Sequence, residues 1–148
     1  MFKLLRYLSV AVLAAFAVSA VAKADGFSLD GDPNPAWLYF NVKNDGGWVQ
    51  AQDEARLKVE RALEMNIPFA EKVPEVASEI KPAVERYISR GHNIILGTAF
   101  GYSDTFKELA EKHPDVAFVN AAGTTNGPNL QSYYGRTYES QYLCGMVA

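Results

Sequence analysis

Two short apolar runs restrict the folds that this chain can adopt. The runs IIL, at residues 94–96, and VAFV, at residues 116–119, contain no polar residue and are rich in β-branched and aromatic side chains. A strand with one solvent-exposed face alternates polar and apolar residues. An uninterrupted apolar run is typical of a strand in a parallel sheet whose two faces are both buried. The chain must therefore supply helices to cover two sides of one sheet.

Helical spacing of apolar residues separates the strand-like runs, which predicts an α/β fold: a three-layer sandwich with a parallel sheet between helices. Pro82 is expected in the first turn of the second helix, Gly91 at its end, and Ser103 or Asp104 as the cap of the third helix. The helices are predicted around residues 48–63, 84–88, 106–110 and 138–148, and the strands at residues 37–42, 67–73, 92–98, 116–123 and 129–135.

The first 24 residues have the pattern of a secretory signal. Lys3 and Arg6 precede an almost wholly apolar stretch at residues 8–18, and the small residues of AKA, at 22–24, suit a signal peptidase. The apolar stretch is shorter than the roughly 20 residues of a membrane span, which makes a membrane anchor the weaker alternative. We expect a removed signal at 1–24, a flexible lead-in at 25–36, and a ligand-binding lobe at 37–148.

Charge and cysteine content exclude several classes of protein. The chain of 148 residues is 49% hydrophobic and 21% charged, enough for one folded domain, and its formal net charge is −3. The signal carries only basic charges, so the remainder is more acidic still, which argues against nucleic acid and against anionic membranes. The single cysteine, Cys144, forms no internal disulfide and is expected to be a small buried side chain. We predict a freely soluble protein of a bacterial periplasm, with no membrane span after signal removal.

Polar, aromatic and glycine residues follow three of the predicted strands, in the segments KNDGGW, GTAFGYSD and AAGTTN. Because ligands of open α/β sheets bind beyond the carboxyl ends of the strands, these segments predict a binding site. Asp45 and Asp104 suit hydrogen-bond donors, and the rings of Trp48, Phe100 and Tyr102 suit a planar ring. No glycine-rich phosphate motif is present, and two acids beside one lysine repel a phosphate. A purine base or nucleoside fits this set.

The same residues also have structural explanations. Asp45 and Asp104 can cap helices, and the aromatic rings can pack against the sheet. Catalysis has little support, because His92 and His113 fall away from the predicted site and the sequence contains neither GxSxG nor metal-ligand spacing. We expect no catalytic residue, no metal and no cofactor. Acid–base hydrolysis by the two carboxylates stays an alternative.

Five ordered segments resemble the basic membrane protein family, whose members are substrate-binding proteins of ABC transporters and include purine-nucleoside receptors. The segments are NDGGW, EKVPE, GTAFGYSD, HPDVAF and YYGRTYESQYLCG, and the resemblance runs from about Trp37 to the end of the chain. It implies a type I periplasmic-binding-protein fold, in which two α/β lobes close on a ligand. This chain corresponds to the first, N-terminal lobe only, so we expect it to be either the first part of a longer protein or a truncated product.

The resemblance implies roles for individual residues. In the family, the Asp of the first segment contacts the ligand and the aromatic residue stacks on the base, which points here to Asp45 and Trp48. Asp104 corresponds to an acid that lines the cleft. Lipid-anchored members carry a lipobox cysteine that this sequence lacks. Three further residues carried over to the same site are Phe100, Tyr102 and Asn44.

The expected function is that of a periplasmic substrate-binding component, not an enzyme, that delivers a purine-type ligand to an inner-membrane ABC permease. Two alternatives come from other classes. One is a hydrolase of nucleosides or sugars that uses Asp45 and Asp104. The other is a binding protein that presents its ligand to a sensor.

Overall fold

Five strands form one parallel sheet in a computed structural model that describes residues 26–148. The strands are β1 (Pro35–Leu38), β2 (Phe69–Ala70), β3 (Ile94–Gly97), β4 (Ala117–Ala121) and β5 (Leu130–Tyr133). Their order in the sheet is β2-β1-β3-β4-β5, and every neighbouring pair is parallel. All five carboxyl ends therefore lie at one edge of the sheet, called here the carboxyl edge. The predicted signal, residues 1–24, lies outside the described residues.

Four helices accompany the strands, and a helix separates each strand from the next except between β4 and β5. They are α1 (Trp48–Leu63), α2 (Ala77–Ile88), α3 (Ser103–Lys112) and α4 (Thr137–Val147), and one turn of 3₁₀ helix at Phe100–Tyr102 leads into α3. This order confirms the predicted strand–helix alternation. The observed strands are shorter than the predicted ones.

The sheet is covered on both faces, which confirms the three-layer arrangement. On one face, Leu38, Ile95 and Phe118 pack against α2 and α3 in the larger apolar cluster. On the other face, Trp37 and Tyr39 pack with residues of and near α1 in a second cluster. Alternation of side chains along β1 produces this division, since successive residues point to opposite faces.

The last helix, α4, buries none of its residues. Its apolar residues Leu143 and Met146 are exposed, and so is Cys144. The expectation of a buried cysteine is therefore wrong for this structure. The reason is that α4 extends from the end of β5 without packing on the described part of the sheet.

Two expectations about helix starts are also wrong. Pro82 lies inside α2, five residues after its start at Ala77. The fully buried Ile80 anchors the earlier turn in the core, so the helix extends N-terminally of the proline despite the backbone hydrogen bond that proline cannot donate. Neither Ser103 nor Asp104 caps α3, because the 3₁₀ turn continues directly into the helix. The Ser103 hydroxyl instead donates to the Phe100 carbonyl at 2.6 Å.

A buried ionic network joins α1 to the sheet. The Arg56 guanidinium contacts Asp53 Oδ1 at 2.8 Å and Glu60 Oε1 at 2.7 Å. The Tyr39 hydroxyl donates to Asp53 Oδ1 at 3.0 Å, and Arg56 Nη1 donates to the Ile67 carbonyl at 3.0 Å. Burial, with the Asp53 carboxylate as a second cause, raises the pKa of Tyr39 and keeps its hydroxyl a donor. The network therefore fixes the position of α1 on its face of the sheet.

The lead-in is attached to the amino edge of the sheet. The Asn93 side-chain amide donates to the Asp32 carbonyl at 3.1 Å, and its oxygen accepts from the Asn34 backbone N–H at 2.8 Å. The first strand, β1, begins earlier than predicted, at Pro35 instead of Trp37. Pro35 is accommodated because it is the first residue of the strand.

Candidate ligand-binding site

Side chains at the carboxyl edge link the ends of β1 and β3. The Thr98 hydroxyl donates to the Leu38 carbonyl at 3.1 Å, so the two neighbouring strands are joined just where both end. The indole Nε1 of Trp48 donates to the Thr98 carbonyl at 2.7 Å. The first helix, which begins at Trp48, is thereby tied to the segment that follows β3. The predicted binding segments KNDGGW and GTAFGYSD are in direct contact.

Asp45 is a capping residue of α1. Its Oδ1 accepts the backbone N–H groups of Gly47 at 2.9 Å and Gln50 at 3.1 Å, and Oδ2 accepts that of Val49 at 3.2 Å. The hydrogen bond from Gln50, followed by that from Gly47, holds the pKa of the Asp45 carboxyl below its usual value of 3.8. Asp45 is thus an ionised acceptor at the start of α1.

The Trp48 ring is half-buried and stacks on a tyrosine from the far end of the sheet. Its inner side packs with the apolar cluster on the α1 face. Its ring lies 5.9 Å from the Tyr134 ring, centroid to centroid, at an angle of 24°. The neighbouring Tyr133 hydroxyl donates to Gln52 Oε1 on α1 at 3.1 Å. Residues at the end of β5 therefore reach α1 across the carboxyl edge.

The two aromatic residues of the 3₁₀ turn have opposite environments. Phe100 is 66% exposed at the carboxyl edge, where a ligand can contact it. Tyr102 is fully buried in the larger core cluster, and its hydroxyl donates to the Val73 carbonyl at 2.6 Å. The expectation that Tyr102 faces a ligand does not fit this position, because both its ring and its hydroxyl are engaged within the core.

Asn44 and Asp104 are both exposed near the carboxyl edge. Asn44 lies in the turn before Asp45, and no described residue hydrogen-bonds its side chain. Asp104 lies in the first turn of α3, where a negative charge is favourable to the helix dipole. Because α1 and α3 cover opposite faces, Asp45 and Asp104 approach the edge from its two sides. The predicted site residues other than Tyr102 thus lie at one edge of the sheet.

The segment after β4 packs on the start of α3. The Thr124 backbone N–H donates to Ser103 Oγ at 3.1 Å, and the Thr125 hydroxyl donates to the Ser103 carbonyl at 2.9 Å. Asn120, fully buried at the end of β4, donates from Nδ2 to the Ala99 carbonyl at 2.9 Å. These contacts hold the segment that contains Phe100 and Asp104 in place at the edge.

Comparison with known proteins decides the family. Residues 36–148 match the model of the family described as ABC transporter substrate-binding protein PnrA-like, or Bmp. The chain belongs to this family. That match covers the sheet, all four helices and every candidate site residue.

Two relatives of this chain are named after different ligands. A protein of Haloferax volcanii, provisionally named as an ABC transporter glucose-binding protein, is 35% identical over 77% of this chain and 29% of its own length. A purine-binding protein of Brucella abortus is 32% identical over 86% of this chain and 39% of its own length. The chain therefore spans less than two-fifths of either relative.

A solved structure has the same fold. The ABC transporter solute-binding protein of Conexibacter woesei superposes with a TM-score of 0.66 at 20% identity, over 79% of this chain and 40% of that one. This likeness confirms the α/β fold expected of a periplasmic-binding-protein lobe.

Two groups at the edge of this Bmp-family chain escape sequence reasoning. Glu75, in the loop after β2, contacts the backbone N–H of Gly101, and Glu71 accepts the backbone N–H of Lys43 at 2.6 Å. Tyr133 and Tyr134 are the second group. The aromatic pair YY near the end of the predicted fifth strand is a signal that could have found the two tyrosines, whereas no pattern in the sequence indicated the two acids.

A separate cleft of about 520 Å³ lies at the opposite, amino edge of the sheet. Its one polar amide, Asn129 Nδ2, is already within 3.0 Å of the carbonyl oxygens of Ala110, His113 and Val116. The lining offers little else for recognition, so the cleft carries no functional assignment. Its lining residues are Gly26, Phe27, Ala110, Glu111, Pro114, Pro128 and Asn129.

Between residues 26 and 148, no His, Cys, Asp and Glu side chains form a group of three that could hold a metal ion. No helix in that range combines the length and apolar character needed to cross a membrane.

Proposed function

We propose that the protein binds a purine base or nucleoside at the carboxyl edge and serves as the substrate-binding component of an ABC transporter. Membership of the PnrA-like family supports the transport role. The name of the Brucella abortus relative supports a purine ligand. The single observation that carries the proposal is the pairing of an ionised acceptor, Asp45, with the anchored ring of Trp48.

The chemistry of this pair suits a planar ligand with N–H or O–H donors. Asp45 is ionised at neutral pH, and backbone N–H groups stabilise its charge further. Such a carboxylate accepts hydrogen bonds from N–H and O–H donors of a ligand. The rings of Trp48 and Phe100 add flat apolar surface, and stacked aromatic pairs contribute about 0.5–1.5 kcal/mol beyond the area they bury.

The charge at the carboxyl edge favours an uncharged ligand over a phosphorylated one. Acidic side chains outnumber basic ones in the loops after β1 and β2 and in the first turn of α3. A phosphate among these acids would be repelled, and the loops contain no glycine-rich phosphate motif. The acids are Asp45, Glu71, Glu75 and Asp104, and the bases are Lys43 and Lys72.

The cellular role extends beyond the described lobe. We infer export to the periplasm from the signal pattern at residues 1–24. A second lobe would cover the ligand from its other side, and closure of two lobes would present the complex to an inner-membrane permease. The relatives are more than twice as long as their matched parts, which supports a longer binding protein.

A monosaccharide is the second candidate ligand. The relative with 35% identity carries a glucose-binding name. The residue types at the carboxyl edge also suit a sugar. Carboxylates accept hydrogen bonds from sugar hydroxyls, and aromatic rings pack against sugar C–H groups. A purine differs from a monosaccharide in that its flat ring can stack on the aromatic rings at the carboxyl edge.

Calorimetry of the full-length exported protein tests the proposal. Adenine, adenosine, guanosine, glucose and adenosine monophosphate are titrated in turn at neutral pH. Heat of binding with an uncharged purine, and weaker or no binding of the monophosphate, is the expected result. Binding of glucose alone would overturn the purine assignment in favour of the second candidate. Chromatography of the adenosine sample afterwards should show intact adenosine, whereas released adenine would favour a hydrolase.

A further inference from the structure

We propose that Tyr134 is a ligand-recognition residue, the movable second wall of an aromatic slot whose fixed wall is Trp48. This inference rests on the proposed function, because the slot takes the planar heterocycle that the carboxyl edge binds. It assigns a role to a residue from the end of the sheet that was not among the predicted site residues. The observation behind it is the stack of the two rings at 5.9 Å and 24°.

Trp48 is fixed on two sides. Its indole Nε1 is bonded to the Thr98 carbonyl at 2.7 Å, and its ring packs on the apolar cluster of the α1 face. Movement of the ring would break the bond and uncover apolar surface. The ring face that looks away from the cluster is therefore a preorganised platform, which lowers the cost of ordering a ligand.

Tyr134 is held far more weakly. It is 62% exposed, and no described residue hydrogen-bonds its side chain. Gly135 follows it, with no heavy atom within 4 Å of the place where a Cβ would lie. Tyr133 differs sharply, since it is paired with Ala121 in the sheet and its hydroxyl donates to Gln52. The fixed strand thus ends one residue before the ring that covers Trp48.

The separation of the rings determines what must move. Aromatic carbons pack at about 3.5–4.0 Å, so a flat ligand between two rings needs about 7–8 Å from ring plane to ring plane. The observed stack is closed and has no room for a third ring. Tyr134 must therefore swing outward by a few ångströms, and Gly135 is placed to absorb this change in the backbone.

The slot also explains why the carboxyl edge presents an exposed tyrosine. Without ligand, Tyr134 shields the Trp48 face from water; with ligand, the same ring covers the far side of the heterocycle. Asp45 is three residues before Trp48 and caps the same helix, which keeps its carboxylate at the start of α1. A flat ring in the slot has a carboxylate near its edge.

Affinity measurements on the full-length protein, with adenine and adenosine as probes, test this slot. Tyr134→Ala should weaken binding about two- to tenfold, the value of one aromatic stack. Tyr134→Phe should bind like wild type, because the hydroxyl has no described partner. Tyr138→Ala is the matched control, since Tyr138 is 63% exposed on α4, and it should bind like wild type.

Three outcomes separate this inference from the proposed function. If the wild type binds a purine and Tyr134→Ala binds it equally well, the slot is overturned and the proposed function stands. If Tyr134→Ala binds more tightly, Tyr134 is only a competitor for the Trp48 face, and the slot is again overturned. If the wild type binds neither purine, both proposals fall.

Discussion

The indole N–H of Trp48 and the carbonyl of Thr98 form a 2.7 Å hydrogen bond between the first helix and the end of β3. The two residues are 50 positions apart in the chain, and each belongs to a segment rich in glycine and aromatic residues. The bond brings these segments into one surface. It also orients an aromatic ring at the carboxyl edge without help from a ligand.

Replacement of this indole by a benzene ring should weaken the fold slightly. Trp48→Phe keeps an aromatic face but removes the bond to Thr98, which we expect to lower the free energy of unfolding by about 0.5–1.5 kcal/mol. Urea denaturation followed by circular dichroism measures the change. Phe100→Leu, at an exposed position, is the control and should shift stability by less than about 0.5 kcal/mol. Equal stability of Trp48→Phe and wild type would show that the bond contributes nothing.

The charge of Asp45 should matter separately from its capping role. Asparagine caps helices about as well as aspartate, so Asp45→Asn should keep the Oδ1 contacts with Gly47 and Gln50 while removing the charge and the Oδ2 contact with Val49. We expect purine affinity to fall about five- to tenfold, with only a small decrease of the melting temperature. Asp115→Asn, an exposed acid at the amino edge, is the control. Unchanged affinity in Asp45→Asn would mean that Asp45 is a cap only.

The pH dependence follows from the lowered pKa of the same carboxyl. The N–H groups that bond Asp45 in the folded protein are lost on unfolding, where the pKa returns to about 3.8. The stabilisation is therefore present above pH 3.8 and is lost as the pH falls through the lower folded-state value. Purine affinity should stay constant from pH 8 to pH 5. A decline centred near pH 6 would assign the titrating group elsewhere.

Loss of the buried guanidinium should be strongly destabilising. Arg56→Met leaves Asp53 buried without its partner, and removal of one member of a buried ion pair costs roughly 3–5 kcal/mol. Arg61→Met, on the last turn of the same helix, is the matched exposed control. Urea denaturation of both variants gives the comparison. Equal effects of the two substitutions would contradict the importance of the network.

Tyr102→Phe distinguishes a core residue from a ligand contact. The substitution leaves the buried Val73 carbonyl without its donor, so unfolding free energy should fall by about 1–3 kcal/mol while purine affinity is unchanged. Tyr87→Phe, a buried tyrosine whose hydroxyl has no described protein partner, should cost less. Weaker purine binding by Tyr102→Phe with full stability would restore Tyr102 to the site.

The fold was predictable because its signals are local. Apolar runs such as VAFV indicate buried strands, and helical periodicity indicates the elements between them. The position of Pro82 was not predictable, since it depends on how Ile80 anchors the first turn of α2 in the core. The buried Arg56 is a similar case, because a charged residue on a helix usually faces solvent and only tertiary contacts reverse this.

The candidate site was predictable in part for a physical reason. Parallel strands bring their carboxyl ends together, so Asp45, Trp48 and Phe100 could be assigned to one edge from their order alone. An aromatic residue in a loop gives the same signal whether its ring faces water or the core, which is why Tyr102 was misplaced. The Trp48–Tyr134 stack joins distant segments, and no spacing in the sequence indicates it.

Nuclear magnetic resonance of the indole N–H groups tests the central claim most directly. The chain contains two tryptophans, Trp37 and Trp48, and Trp37 is buried within the sheet. In the full-length protein, Trp48→Phe identifies the indole signal of Trp48, and Trp37→Phe identifies that of Trp37. Addition of adenine or adenosine should shift the Trp48 signal and leave that of Trp37 nearly unchanged. Saturating purine binding without any shift of the Trp48 signal would contradict a ligand site at this edge of the sheet.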